Sequence, residues 1–471
     1  MTWKTGEDPI PEARAALDRL RDRVAGEVVE PGHPDYDAAR AVWNGREDRF
    51  PYLVVRAATV DDVLPVLEAV RETGLPLAVR GGGHSVAGLG TVDDGIVLDL
   101  GALREVTVDP AAHLVTAAPG ARVGDVDAAT APHRLAVPLG TVPSPGIAGM
   151  TLGGGVGWLS RKAGLSLDRL EAADVLLADG RLVRASEEEH RDLFWALRGG
   201  GGNFGVVTAF TYRAVPMPET VLGASLYYRR AQWRRALGAF ERWSRDLPDE
   251  LAAVVSVASP PPEGGFGDAS WLAIHSVWID EDHAAGEALI GALRRALPPD
   301  RELIGPVSWE AWQGARSEAV PTGARGLWRN ASFRSLDEEV LDALAAVAEA
   351  LPGPGASLDL HLLGGAFARV PEGATAFPHR GGRLMVSIHL AWQDPGEDAR
   401  FRAFAERAAA ELARLRERGE YVNFRSIERT RPVPEVTREA YGAETYRRLQ
   451  RVKQVYDPGN MFRRTLNVAP Q

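Results

Sequence analysis

None of the 471 residues is a cysteine. That absence excludes disulfides, thiolate zinc sites, iron–sulfur clusters and a cysteine nucleophile. Positive charge is in short supply: 54 Lys and Arg stand against 64 Asp and Glu, a formal net charge of -10. Such a balance disfavours nucleic acid and anionic membrane surfaces as main partners. No apolar run reaches the about 18 residues that cross a bilayer, and MTWKTGEDPIPEARAALDRL lacks the basic-then-apolar order of a secretory signal. A cytoplasmic protein is expected. The ten histidines are scattered, with no H-E-x-x-H pair, so no metal site is expected. G-x-x-x-x-G-K-[ST] is also absent, which removes a P-loop.

What is there is glycine, 50 of them, in an otherwise ordinary balance of 45% hydrophobic and 25% charged residues. A chain of this length suggests two or three domains. In its first half, short strands (PYLVVRA, PLAVR, GIVLDL, EVTVD, LVTAAPG) alternate with helices such as TVDDVLPVLEAVRETG. ADVLLADG and RLVRAS read as a hairpin turning at Asp179-Gly180. The texture changes near PMPET, Pro216 to Thr220. Beyond it the strands LAAVVSVAS, SWLAIHSVWI and RLMVSIHLAW, each with one polar face, alternate with longer helices, which predicts an antiparallel sheet covered by helices on one side. PPPEGGFGD, Pro260 to Asp268, reads as a loop.

Three glycine clusters compete for a role. GGGNFG, Gly200 to Gly205, follows a helix and precedes a strand, the reverse of a dinucleotide fingerprint. GHSVA imitates a nucleophile elbow but ends in Ala87. RGGGHS, Arg80 to Ser85, follows a strand, and GIAGMTLGGGVG lies about sixty residues on. Two such loops can line one long polyanionic ligand with backbone N–H groups, and a dinucleotide diphosphate fits that description.

On these residues the chain resembles the berberine-bridge-enzyme-like flavoproteins of the vanillyl-alcohol oxidase / p-cresol methylhydroxylase (PCMH) superfamily. WNGREDRFPYLVVRAATVDDV, VRGGGHSVAGLGTVDDGIVLDL, GIAGMTLGGGVGWLSRKAGLSLDRL, LFWALRGGGGNFGVVTAFTY and YDPGNMFR occur in the family's order and span nearly the whole chain. The resemblance implies an α+β fold of two domains: a PCMH-type FAD domain over 1–217 (core about 47–217) and a substrate domain over 218–418 whose antiparallel sheet is backed by helices. Residues 419–471 would return to the FAD domain. It implies FAD bonded through its 8α-methyl group to His84. Arg80, Gly81, Gly82, Gly83 and Ser85 would cradle the diphosphate. Gly146, Gly149, Gly153 and Gly154 would let the backbone pass close to the flavin, Gly205, Val206 and Val207 would lie along the adenosine, and Asn460, Phe462 and Asn467 would close the site. The activity implied is hydride transfer from an alcohol or similar group of a sugar, phenolic or natural product, with dioxygen as acceptor.

Three departures from the family pattern bear on mechanism. Relatives with a second flavin link use a cysteine where this chain has Val142, so the link here is single. The family's Y-x-N-Y reads YVNF, and Phe424 holds no proton. No acid stands in RLMVSIHL, where some relatives carry a glutamate base. The remaining candidates for the base are His389, Tyr421 and His361, while Trp271, Trp278, Trp328 and Trp392 are candidates for an aromatic pocket. Two rival readings stay open at this point: a flavin dehydrogenase with another acceptor, and a flavin-binding protein without catalysis.

Overall fold

The computed structural model describes residues 11–259, 265–267, 269–315, 321–417, 420–427 and 433–471. Most of the Pro260–Asp268 loop and the 418/419 boundary lie outside the described residues.

Among the described residues, three large sheets and one two-stranded pair, Leu135–Ala136 with Val215–Pro216, organise the chain. In the first, Leu53–Arg56 crosses through helix Val63–Thr73 to Leu77–Arg80, with Ile96–Asp99 inserted between the two in parallel and Glu27–Val29 added antiparallel at the edge. A parallel pair needs such a crossover. The helix stops at Gly74, whose φ of 69° ends the spiral in the left-handed region. The second sheet is antiparallel, in the order Val106–Asp109, Leu114–Ala117, Val206–Arg213, Leu170–Leu176, Leu182–Ser186. The hairpin between its last two strands turns at Gly180, φ 90°.

The third sheet has seven strands in the order Arg301–Val307, Val221–Tyr228, Trp271–Trp278, Leu251–Ala258, Ala356–Leu362, Leu384–Trp392, Arg325–Phe333. Side chains alternate across a strand. Val255, Leu358, Leu360, Val386 and Ile388 therefore fall on one face, in a core they share with helices Trp233–Trp243, Glu338–Glu349 and Asp398–Ala413. The intervening positions, Ser256, Asp359, His361, Ser387 and His389, are polar and fall on the other. Among the described residues, no helix is long and apolar enough to cross a membrane.

The end of the chain packs against its beginning. Helix Ala443–Tyr456 buries Tyr446, Leu449 and Val452 in the core of the second sheet, and Phe462 joins the core of the first. Lys453, fully buried, ties the return: its ammonium donates to the Asn203 carbonyl (2.7 Å), the Phe462 carbonyl (3.1 Å) and Asp457 Oδ2 (2.6 Å). Lys453→Met is expected to leave the buried Asp457 carboxylate with two backbone N–H donors but no counter-charge, and to cost about 3–5 kcal/mol. Denaturant midpoint and flavin-to-protein ratio check this; neither should survive unchanged.

A second buried charge joins the two halves. Asp127, on helix Val123–Thr130, accepts from Trp309 Nε1 (3.1 Å) and Gln313 Nε2 (3.3 Å) of helix Trp309–Gly314. Gln313 Nε2 also reaches the Gly140 carbonyl at 3.2 Å. Burial pushes the Asp127 carboxyl up to about 6. The folded protein thus binds this proton more tightly than the unfolded chain. Its contribution is complete below the unfolded pKa near 4 and is lost as pH rises through about 6, a difference of at most about 3 kcal/mol. Asp127→Asn is expected to narrow the gap in unfolding midpoint between pH 4.5 and 7.5 and to raise stability at the higher pH. Identical pH dependence in variant and wild type would exclude this reading.

Candidate active site

A cleft of about 480 Å³ is lined both by the glycine-rich loops and by the polar face of the large sheet. The first loop starts where strand Leu77–Arg80 ends. Parallel register sets Arg80 beside Asp99, and the guanidinium bonds Asp99 Oδ2 (2.8 Å), the Ala41 carbonyl (3.0 Å) and the Ala39 carbonyl. The guanidinium charge is thus met by the protein itself, while Arg80 remains on the cleft wall. Gly82 and Gly146 meet backbone to backbone: a Cβ on Gly82 would stand 2.4 Å from the Gly146 nitrogen, and one on Gly146 2.5 Å from the Gly82 nitrogen. Any side chain at either position would force the two loops apart. GIAGMTLGGGVG, read as a loop, instead forms helix Ile147–Gly153, its Ile147 and Leu152 anchored in the core of the second sheet. Tertiary burial here outweighs the low helix propensity of glycine.

His84 lies on the cleft wall, its ring stacked on Trp43 with centroids 4.7 Å apart and planes 20° apart. Burial pushes its pKa down to about 4, and the charge of Arg122 adds to the effect. At neutral pH the imidazole is therefore uncharged and keeps a nitrogen lone pair. Trp43 also meets Trp328 edge-on at 5.5 Å, and Trp328 lies 4.3 Å from the ring of His389. These four rings connect the glycine end of the cleft to the large sheet.

Phe424 closes the box, 5.5 Å from Trp328, 5.4 Å from His389 and 4.9 Å from Tyr421. The three candidate bases separate here. His389 lines the cleft, its Nδ1 3.6 Å from Asp359 Oδ2. His361 is buried against Phe424, with Nε2 3.3 Å from Ser387 Oγ, and is not part of the cleft wall. Tyr421 reaches the wall, but its hydroxyl oxygen accepts from the Gly155 N–H (2.9 Å), the Val156 N–H (3.4 Å) and Asn423 Nδ2 (3.1 Å). Burial pushes this phenol above its ordinary value despite those donors. His361 thus lies off the cleft wall, one ring behind Phe424, and Tyr421 is a phenol held by backbone donors.

Of the sequence-predicted cofactor residues, the cleft brings together Arg80 to Ser85, Gly146, Gly149, Gly153, Gly205, Val206, Val207 and Phe462. Gly154, Asn460 and Asn467 lie off its wall. A Cβ on Gly154 would meet Tyr421 at 2.7 Å and Phe377 at 2.9 Å, so this glycine is required by packing. Of the four tryptophans, Trp328 reaches the cleft, whereas Trp278 and Trp392 belong to the helix-covered core and Trp271 packs on Phe266. Asp359, Ser256 and Trp43 line the cleft without having been singled out in the sequence. Asp359 did leave a signal: LDLHLL places an acid on the same strand face as His361.

Comparison with known proteins agrees with this layout. Residues 51–186 match the FAD binding domain family and residues 420–469 the berberine and berberine-like family. A Bacillus subtilis protein, the uncharacterized FAD-linked oxidoreductase YgaK, is 30% identical over 467 residues, covering 96% of this chain and 98% of its own. The chain belongs to the berberine-bridge-enzyme-like FAD-linked oxidoreductases. The crystal structure of 6-hydroxy-D-nicotine oxidase from Arthrobacter nicotinovorans is 27% identical with a TM-score of 0.83, covering 95% of this chain and 98% of the other. Xylooligosaccharide oxidase from Myceliophthora thermophila shares the fold at 24% identity, TM-score 0.85, over 98% and 99% of the two chains.

The protein is therefore an FAD-linked oxidoreductase. Its residues fit the cofactor. A Cβ on Gly149 meets nothing within 4 Å, one on Gly201 nothing nearer than 3.9 Å and one on Gly202 nothing nearer than 3.8 Å, all three on the cleft wall. Side chains there would project into the space that the dinucleotide needs.

Proposed function

We propose that the protein is an oxidase that converts an alcohol, or a comparable C–H bearing amine, to the carbonyl or imine level with dioxygen as acceptor. One alcohol and one dioxygen give one carbonyl and one hydrogen peroxide. FAD supplies the two-electron acceptor. His84 is its single covalent anchor, since a neutral imidazole is the form able to make a bond to carbon and no cysteine exists to add a second link. Gly81 to Ser85, Gly146, Gly149, Gly153, Gly205, Val206, Val207 and Phe462 hold the dinucleotide.

His389 is the general base, taking the substrate's hydroxyl or amine proton. The observation that carries this assignment is its place: in the same cleft as His84, beside a buried carboxylate and walled by Trp328 and Phe424. Aromatic walls exclude water and present flat apolar surface to a ring-shaped substrate, while Ser357 on the same wall supplies a hydrogen-bonding partner.

Peroxide detection over sugars, alcohols, phenols and 6-hydroxynicotine tests the reading. A substrate should bleach the flavin anaerobically and yield peroxide in air. Bleaching followed by turnover with a dye but no peroxide would make the protein a dehydrogenase. A flavin that no compound bleaches would favour binding without catalysis.

A further inference from the structure

We infer that Asp359 is a positioning residue that fixes the ring of His389, and that Ser256 fixes Asp359 in turn. The inference rests on the reading of His389 as the base. Three neighbouring strands build the array. Register pairs Ser256 with Asp359, Asp359 with Ser387, and Ser357 with His389. Asp359 and His389 are therefore diagonal neighbours on one sheet face, within reach of long side chains but not of short ones. Asp359 Oδ1 accepts from the Ser256 hydroxyl, and Oδ2 faces His389 Nδ1 at 3.6 Å.

A carboxylate buried in a sheet face must be compensated. Here a hydroxyl meets one oxygen and an imidazole the other. Trp328 limits the tilt of the His389 ring from one side, and Phe424 meets it edge-on. A carboxylate on Nδ1 selects the tautomer that carries its hydrogen there, leaving the basic lone pair on Nε2, and it favours the protonated ring once the proton is taken. The gap of 3.6 Å is longer than a hydrogen bond, and such contacts commonly tighten when substrate closes the site. Among the described residues, the other titratable groups around the array include His361, which shares the strand face of Asp359, Tyr421 against Phe424, His84 across Trp43, and Arg425 on the cleft wall, which is paired with Glu420 at 2.7 Å.

Ring nitrogen NMR of holoenzyme labelled with 15N-histidine tests the proposal without any substrate. His389→Gln identifies the resonances. Wild type should show the Nδ1–H tautomer. In Asp359→Asn the pH midpoint of His389 should fall by about one unit or more, because the opposite charge beside it is gone. In Ser256→Ala it should rise, because the carboxylate loses a donor and becomes more basic. Flavin-to-protein ratio and visible spectrum should stay at wild-type values in both. A midpoint in Asp359→Asn within about 0.3 unit of wild type, or a wild-type ring carrying its hydrogen on Nε2, overturns the proposal. Should Asp359→Asn lose its flavin, Ser256→Ala decides, and an unmoved midpoint there is equally fatal. None of these outcomes touches the role of His389 itself, which kinetics measure separately.

Discussion

Replacing His84 with alanine is expected to turn a flavin that survives acid precipitation into one that acid releases completely. Wild-type protein should stay yellow after denaturation, and its mass should exceed that of the chain by one flavin dinucleotide. The expectation follows from two properties of the site. Burial keeps the imidazole uncharged at neutral pH, so its nitrogen lone pair is available for a bond to carbon. The chain has no cysteine, so no second bond would retain the cofactor once the first is lost. The glycine cradle does not depend on His84, because the Gly82–Gly146 contact is made between backbones. The folded variant should therefore bind FAD reversibly, with a visible spectrum that disappears on dialysis against denaturant. Flavin that washes freely from denatured wild type would remove His84 as the anchor while leaving the binding site in place.

The second large effect is on turnover. His389→Gln is expected to lower kcat/KM by about 10²–10⁴-fold, the usual contribution of a positioned general base. In wild type kcat/KM should rise with pH as the imidazole gives up its proton, and that limb should vanish in the variant. Tyr421→Phe should behave differently. Its hydroxyl accepts from the Gly155 and Val156 N–H groups, so its removal strands buried donors and costs about 1–3 kcal/mol of stability. The pH limb should persist. Measuring both variants on one substrate confirmed by peroxide formation separates the roles. A loss below about threefold in His389→Gln would dismiss it as the base.

The two halves of the site were unequally legible. The dinucleotide end is built from backbone, and backbone that must pass close to a ligand or to another loop writes itself as glycine. RGGGHS and GIAGMTLGGGVG could therefore be read directly, even though the second turned out helical. The other end of the cleft is built from side chains on separate strands. Whether His361 or His389 faces the cleft depends on strand register and on what Phe424 covers, neither of which is local. Period-two alternation puts both on the same polar sheet face. Tyr421 looked available because its partners, the Gly155 and Val156 N–H groups, lie more than 260 positions away.

By itself, the sequence determined the exclusion of any cysteinyl link and, through motifs that resemble one family's in order, the α+β class and the flavin, because each is carried by residue type or by short stretches of chain. A missing cysteine is missing in every conformation, and a strand followed by three glycines and a histidine is a loop wherever it packs. Only the tertiary structure decided that Arg80 is spent on Asp99 and two carbonyls, that Tyr421 is held by backbone N–H groups, and that Asp359 stands against His389. Those facts are distances between separate elements of the chain, and the packing of the sheets sets them.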